Sequence, residues 1–157
     1  MFMPLEKVRE FLLGTLFVLA AAGLGIAPSS AQAENNLRSV LIQSLLDFNA
    51  ILITEVDVVF VYDEEMAAQM PATKGEWYAQ KYDLLQNDPV ELDVITTSIP
   101  QGFDSATLSL PENSAEAVMV FAVGYHEAQG VPVHNMTDME RSLIQIDQFG
   151  IRVTARN

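Results

Sequence analysis

Cysteine is absent from the chain. Its absence excludes a disulfide framework, a thiol nucleophile, cysteine metal ligands and a lipid carried on an N-terminal cysteine, so packing alone must hold the fold. Basic residues are scarce as well: 8 Lys and Arg stand against 21 Asp and Glu, for a formal charge of −13. Nucleic acids and anionic membranes are gripped through basic footprints, and none is present. The acidic surface suits solubility and could help select a basic partner. No glycine-rich phosphate loop and no G-x-S-x-G elbow occurs, and internal repeats and low-complexity tracts are missing too.

Apolar residues, in contrast, make up 50% of the 157 positions, enough for one domain with a substantial core. The run around which the rest is organised is Ala117 to Tyr125, AVMVFAVGY. Val118, Val120 and Ala122 alternate with Met119, Phe121, Val123 and Tyr125, so both faces are apolar. About nine residues are too few to cross a bilayer as a helix, and such a run between turn-formers predicts a strand buried on both sides. Covering layers are then required above and below it.

The N-terminus has the form of an address. Lys7 and Arg9 precede an uncharged run from Phe11 to Ala27, followed by Pro28 and by Ala31-Gln32-Ala33. A basic start, an apolar middle and an A-x-A ending predict a secretory signal peptide over residues 1–33, cut after Ala33, with a domain over 34–157. The alternative is an uncleaved anchor, since the apolar run is near the lower limit for a span; Ala31 and Ala33 favour cleavage. An exported chain without cysteine suits a bacterial periplasm.

Within the domain, Leu37 to Ile53 is ambiguous. Leu37, Val40, Leu41, Leu45 and Phe48 have helical spacing while Ile51 to Ile53 look strand-like; a short strand near Val40 to Leu46 with a bulky loop after it is the preferred reading. Val56 to Tyr62 is a strand, with Val56, Val58, Phe60 and Tyr62 on one face and Val59 and Val61 on the other; Asp57 suggests solvent on that second face. Asp63-Glu64-Glu65 suits the first turn of a short helix broken by Pro71. Thr73 and Glu76 form a capping box for a helix over Lys74 to Gln86, bearing Trp77, Tyr78, Lys81, Tyr82, Leu84 and Leu85 as a stripe that packs on a sheet. Strands follow at Val90 to Thr97, with Val90, Leu92 and Val94 inward, and at Ser105 to Leu110, around a Pro100-Gln101-Gly102 turn. A long loop over Ala128 to Thr137 and short strands at Leu143 to Ile146 and Ile151 to Ala155 complete the chain. Several short strands with one inserted amphipathic helix predict an antiparallel two-sheet β-sandwich.

Candidate chemistry is thin. His126-Glu127 and His134 with Asp138 could be metal ligands, but the histidines stand eight residues apart across a Gly/Pro loop and are expected to be solvated. Glu91 and Asp93 share a strand face and could act as acid and base, although outward residues of a sandwich look the same. Asn135-Met136-Thr137 matches a glycosylation acceptor. The expectation is a non-enzymatic protein without cofactor or metal.

The order VVFVY (Val58 to Tyr62), EWYAQKYDLL (Glu76 to Leu85), IPQG (Ile99 to Gly102), LSLPE (Leu108 to Glu112) and AVMVFAVGY resembles the TssJ/SciN family, outer-membrane lipoproteins of type VI secretion systems. The resemblance spans most of the domain. It implies a transthyretin-like sandwich that acts as a scaffold and grips the periplasmic domain of the large inner-membrane component, TssM. The gripping loop lies between the first two strands, here Asp47 to Thr54, with Asp47, Phe48, Asn49, Ile51 and Ile53 as candidate partner-binding residues; alternatively Phe48, Ile51 and Ile53 complete the core. The family's lipidated cysteine is missing here, which leaves a soluble relative or one held by its N-terminal helix. A small-ligand module using the Trp77, Tyr78 and Tyr82 side of the helix is the alternative function.

Overall fold

The computed structural model describes residues 35–156 except 48, 51, 53, 88 and 89. Asn35 opens the domain as a staple. Its side-chain amide donates to the carbonyls of Ser114 and Ala117 at 2.6 and 3.0 Å, and its oxygen accepts from the Leu37 N–H at 2.9 Å.

Among the described residues eight strands form two sheets of four. Strands β1 (Ser39–Ser44), β4 (Ser105–Thr107), β7 (Arg141–Ile146) and β8 (Ile151–Ala155) make one sheet in the order β4-β1-β7-β8. Strands β2 (Thr54–Val61), β3 (Leu92–Ile99), β5 (Met119–Gly124) and β6 (His134–Asn135) make the other, in the order β3-β2-β5-β6. Helices α1 (Glu64–Gln69) and α2 (Lys74–Asn87) lie between β2 and β3, and a 3₁₀ turn covers Ser114–Glu116. The expected β-sandwich is therefore present, with one departure from antiparallel order: β1 pairs with β7 in parallel, Leu41 opposite Leu143. Most of the chain runs between them, so β7 can return in the same direction through a long crossover, as parallel strands require.

The ambiguity over Leu37 to Ile53 resolves toward strand, with β1 two residues shorter at its C-terminal end than expected. Val40 and Ile42 are buried against the facing sheet, which outweighs the helical spacing of the neighbouring leucines.

Two apolar layers hold the molecule. Between the sheets lie Val40, Ile42, Val56, Val58, Phe60, Val120, Ala122, Ile144 and Ile146. On the far side of the second sheet, Val59, Val61, Phe121 and Val123 pack under Met66 and Trp77 from the helices. Strand β5 is thus covered on both faces, as its two apolar rows require; Trp77 meets Phe121 edge-on with ring centroids 5.5 Å apart. Only Tyr125, beyond the strand end, is half exposed.

The helix starts follow the sequence signals. Asp63 Oδ1 accepts from the Met66 N–H at 2.8 Å, capping α1. Glu76 Oε2 accepts from the N–H groups of Ala72 and Thr73 while its own N–H reaches Thr73 Oγ1, closing the capping box of α2. Gly102 has φ 76° in the turn closed by the Phe103 N–H to Pro100 carbonyl bond, a conformation in which a side chain is strained.

Several expectations are corrected. Asp57 does not meet solvent: it is fully buried beneath α2. Val90 is not inward but 85% exposed, because β3 begins only at Leu92. Strand β4 stops at Thr107, and the Leu108 N–H makes one further bond to the Val40 carbonyl. The long loop after β5 contains β6, paired with β5 through His134 opposite Ala122. The aromatic stripe of α2 is split: Trp77 is fully buried, Tyr82 is 72% exposed, and Lys74 and Lys81 occupy the inward face instead. Tyr78, Leu84 and Leu85 still pack against the sheet's outer apolar layer, so the packed side of the helix mixes apolar residues with two buried lysines.

Candidate functional site

At one end of the sandwich four connections converge: the β1–β2 loop, the β3–β4 turn, the loop after β5 and the β7–β8 turn. His126 ties three of them. Its Nδ1 pairs with Thr54 Oγ1 and its Nε2 with the Asp147 carbonyl, both at 2.8 Å. Because a carbonyl only accepts, Nε2 carries the proton. Next to it, the buried Glu127 carboxylate accepts from the Gly124 N–H at 2.8 Å and the Ile151 N–H at 3.4 Å, and pairs with His134 Nε2 at 2.8 Å. A Cβ on Gly124 would stand 2.8 Å from Ile151 Cγ2 and 3.1 Å from Glu127 Cγ, so the close approach needs glycine. The two histidines expected to be solvated are structural ties, and neither is placed with Asp138 as a ligand set. Among the described residues no group of three His, Asp or Glu side chains could hold a metal.

The loops themselves are built from Asx turns. Asp47 Oδ1 accepts from the Asn49 N–H and side-chain amide, and Asp147 Oδ1 accepts from the Phe149 and Gly150 N–H groups. These two turns face each other across a cleft of about 310 Å³ lined by Leu45, Leu46, Asp47, Ala50 and the Asp147 to Phe149 turn. Leu45 is 54% and Phe149 77% exposed, two large apolar side chains presented to solvent on this rim. A second cleft of about 700 Å³ opens on the other side of the β1–β2 loop, lined by Leu52, Thr54, Glu55, Ser98, Ile99, Pro100, Gln101 and Tyr125.

Of the candidate partner-binding residues, Asp47 and Asn49 lie in the first turn, while Phe48, Ile51 and Ile53 lie outside the described residues, as do Ala31, Ala33 and the whole signal segment. Leu45 and Phe149 were missed in the sequence. Leu45 has helical spacing with Leu37, Val40 and Leu41, and Phe149 falls between the last two short strands; no local signal brings them together.

Beneath α2, on the outer face of the second sheet, is a buried polar cluster. Asp57 accepts from Trp77 Nε1 at 2.8 Å, from Lys81 Nζ at 2.8 and 2.9 Å, and from Thr96 Oγ1 at 2.6 Å. Lys81 also approaches Glu55 at 3.8 Å and lies over the Tyr78 ring at 5.5 Å. Lys74 lies over the Tyr78 and Tyr125 rings, which meet edge-on at 5.1 Å. Every acceptor position of Asp57 that matters is filled, so the cluster locks helix to sheet and offers no free acid or base. Tyr78 Oη is buried without a well-formed hydrogen bond among the described residues, although the Asp57 carboxylate lies near enough to act on it as an acceptor. Burial, and then the Asp57 and Glu55 charges, push its ionisation well above the ordinary tyrosine range. Tyr62 is raised in the same way, by burial first and then by donating to Asp93 Oδ2 at 2.9 Å.

The geometry bears on two of the expected sites. Trp77 is sealed under the helix, so a ligand site on the Trp77, Tyr78 and Tyr82 side has no open indole face. Asp93 is engaged by Tyr62 while Glu91 precedes β3 in an exposed turn, so the two carboxylates do not form a working pair.

No protein-family model matches the chain, and no curated protein matches it. Among solved structures, the chain is similar to the type VI secretion lipoprotein TssJ1 from Pseudomonas aeruginosa, at 10% identity and a TM-score of 0.47, covering 77% of this chain and 98% of that one. It is also similar to Serratia marcescens Lip, a membrane-bound component of the type VI secretion system, at 10% identity and a TM-score of 0.48, covering 78% of this chain and 99% of that one.

Proposed function

We propose that the chain is a periplasmic, non-catalytic adaptor of a type VI-like secretion envelope complex. Its partner is the periplasmic domain of a large inner-membrane component of the TssM type, gripped by the β1–β2 loop and the β7–β8 turn. The observation that carries this is the rim at the loop end: Leu45 and Phe149 stand exposed around one cleft, on turns held by Asp47, Asp147 and His126. Exposed apolar anchors on a rigid support suit docking, since little ordering entropy is lost when a partner covers them. The order of sequence patterns from VVFVY to AVMVFAVGY supports the secretion context. The Asp57–Lys81 cluster, His126 and the Glu127–His134 pair are engaged in structural bonds, which favours a scaffold over an enzyme.

The test is capture by the full chain of the periplasmic domain of the large inner-membrane component from the same type VI system. Tight capture that Leu45→Asp and Phe149→Asp each weaken about tenfold or more, with unchanged thermal stability, is the expected result. Absence of capture by the unaltered chain would overturn the proposal.

A further inference from the structure

Helices α1 and α2 cover the outside of the second sheet, whereas among the described residues the outside of the first carries no apolar layer. In β1 and β7 the buried residues Val40, Ile42, Ile144 and Ile146 turn inward, so Leu41, Arg141 and Leu143 turn outward. Gln43 and Gln145, register partners on the same outward rows, bond through their side chains at 3.2 Å. In β8 Ile151 and Val153 pack inward, which turns Arg152 and Thr154 out. The Arg156 N–H bonds the Arg141 carbonyl at 2.7 Å, which extends the ladder by one pair and sets the two arginines side by side.

The outward positions of these strands hold Ser, Thr, Gln, Leu and Arg, with no Asp or Glu. In a chain of net charge −13 that is a locally basic face. No described carboxylate lies within 4.0 Å of the Arg141, Arg152 or Arg156 guanidinium nitrogens. The acids nearest to this face in sequence, Asp104, Glu140 and Asp147, stand at strand ends. Leu41 and Leu143, opposite each other in register, are half-buried between the arginines and the neighbouring strands. The opposite outer surface of the molecule is the helix layer, and its exposed charges are all acidic: Glu64 and Glu65 on α1, Glu76 and Asp83 on α2. The two lysines of α2 do not offset them, because both are buried beneath the helix. Lys81 is held by Asp57 and Glu55, and Lys74 lies over the Tyr78 and Tyr125 rings. Beside Asp83, Tyr82 stands 72% exposed.

We infer that copies of this chain stack face to back, the helix layer of one on the bare sheet of the next. Tyr82 meets Leu41 and Leu143, and Glu65 and Asp83 meet Arg141, Arg152 and Arg156. Tyrosine and arginine are the residue types that anchor interfaces, and a guanidinium fork matches a carboxylate in two bonds. The overall acidity opposes association at long range, but salt shortens that repulsion to about 8 Å while the facing charges attract at contact. A face one sheet wide makes a weak, reversible contact rather than an obligate one. Since the two surfaces lie on opposite sides of one molecule, the contact is heterologous and leaves a free face at each end of a stack. Neither surface is the loop-end rim of the proposed function, so the two readings fail separately.

Sedimentation velocity of the protein produced from the full chain tests the inference, over about a hundredfold range of concentration. One variant reverses the sheet face, Arg141→Glu/Arg152→Glu/Arg156→Glu, and another the helix face, Glu65→Lys/Asp83→Lys. All samples keep the same N-terminal segment, so any association through it is common to them. The expected result is concentration-dependent growth of the parent that high salt weakens, and association about tenfold weaker or more in each variant at preserved thermal stability. A mixture of the two variants should give a one-to-one pair that grows no further, because each supplies the surface that the other lacks. Leu45→Asp should associate like the parent. If the triple change loses the fold, Thr154→Glu, which sets one carboxylate between Arg152 and Arg156, is read instead and should weaken association about threefold or more. A parent that stays monomeric throughout, variants that associate as the parent does, or a mixture that forms no pair would overturn the inference.

Discussion

Lys81→Met removes the ammonium that Asp57 holds at 2.8 Å in a fully buried position. At an effective dielectric near 20 the attraction of that pair is of order 6 kcal/mol, which roughly offsets the several kcal/mol per ion needed to take both charges out of water. The pair therefore adds little net stability compared with a neutral replacement, yet losing one member strands the other. Methionine fills the lysine stem, so packing is nearly conserved and the cost is electrostatic. Breaking a buried pair this way costs about 3–5 kcal/mol. For a domain of about 120 residues the unfolding entropy is near 0.26 kcal/mol/K, giving a fall in melting temperature of roughly 10–20 °C. The companion change Asp57→Asn restores neutrality: its oxygen still accepts from Trp77 and its amide can donate to Thr96 Oγ1. The double variant Asp57→Asn/Lys81→Met should therefore recover to within about 2 kcal/mol of the unaltered protein, against the roughly 6–10 kcal/mol to which two such single losses sum, a coupling of about 4 kcal/mol or more in a double-mutant cycle. Denaturant unfolding and calorimetry measure all four species. A Lys81→Met loss below about 1 kcal/mol, or a double variant as unstable as the sum of the single ones, would refute the account of the cluster.

Three further outcomes are expected. Tyr78→Phe removes a buried hydroxyl without a well-formed hydrogen bond, so stability should hold or rise by about 1 kcal/mol; a loss greater than that in urea unfolding would show the hydroxyl to be bonded to Asp57. Tyr62 and Tyr78 should resist ionisation in an alkaline absorbance titration of the folded protein. Since their folded ionisation lies above the ordinary value near 10, their contribution to stability is complete below that pH and is lost as pH rises beyond it, so unfolding should become progressively easier in alkali. Retention of full stability in Tyr62→Phe/Tyr78→Phe but not in the parent at high pH would confirm the assignment, while identical alkaline unfolding would count against it. Gly124→Ala should cost about 1–3 kcal/mol, because its new methyl meets Ile151 and the pinned Glu127 side chain; a neutral result by calorimetry would mean that Glu127 can shift aside.

Much of the architecture was legible because apolar periodicity is a local quantity. The alternation in Val56 to Tyr62 and in Ala117 to Tyr125 identified the two central strands and required layers on both faces, and the Asp63 and Thr73–Glu76 signals marked where the helices begin. The absence of cysteine and the excess of acid bounded the chemistry before any contact was known. Other features could not be read from neighbours in the chain. Asp57 looked solvent-facing because an acid in a strand normally is; only the docking of α2 brings Trp77 and Lys81 over it and makes burial tolerable. The parallel pairing of β1 with β7, the tie of His126 between Thr54 and Asp147, and the meeting of Leu45 with Phe149 across one cleft join residues far apart in sequence. The sequence by itself determined the alternation of strands, the helix starts and the sign of the surface charge. The tertiary structure alone decided which polar side chains are partnered, which apolar ones stay outside and which sheet face is left bare, because each depends on what a distant segment covers.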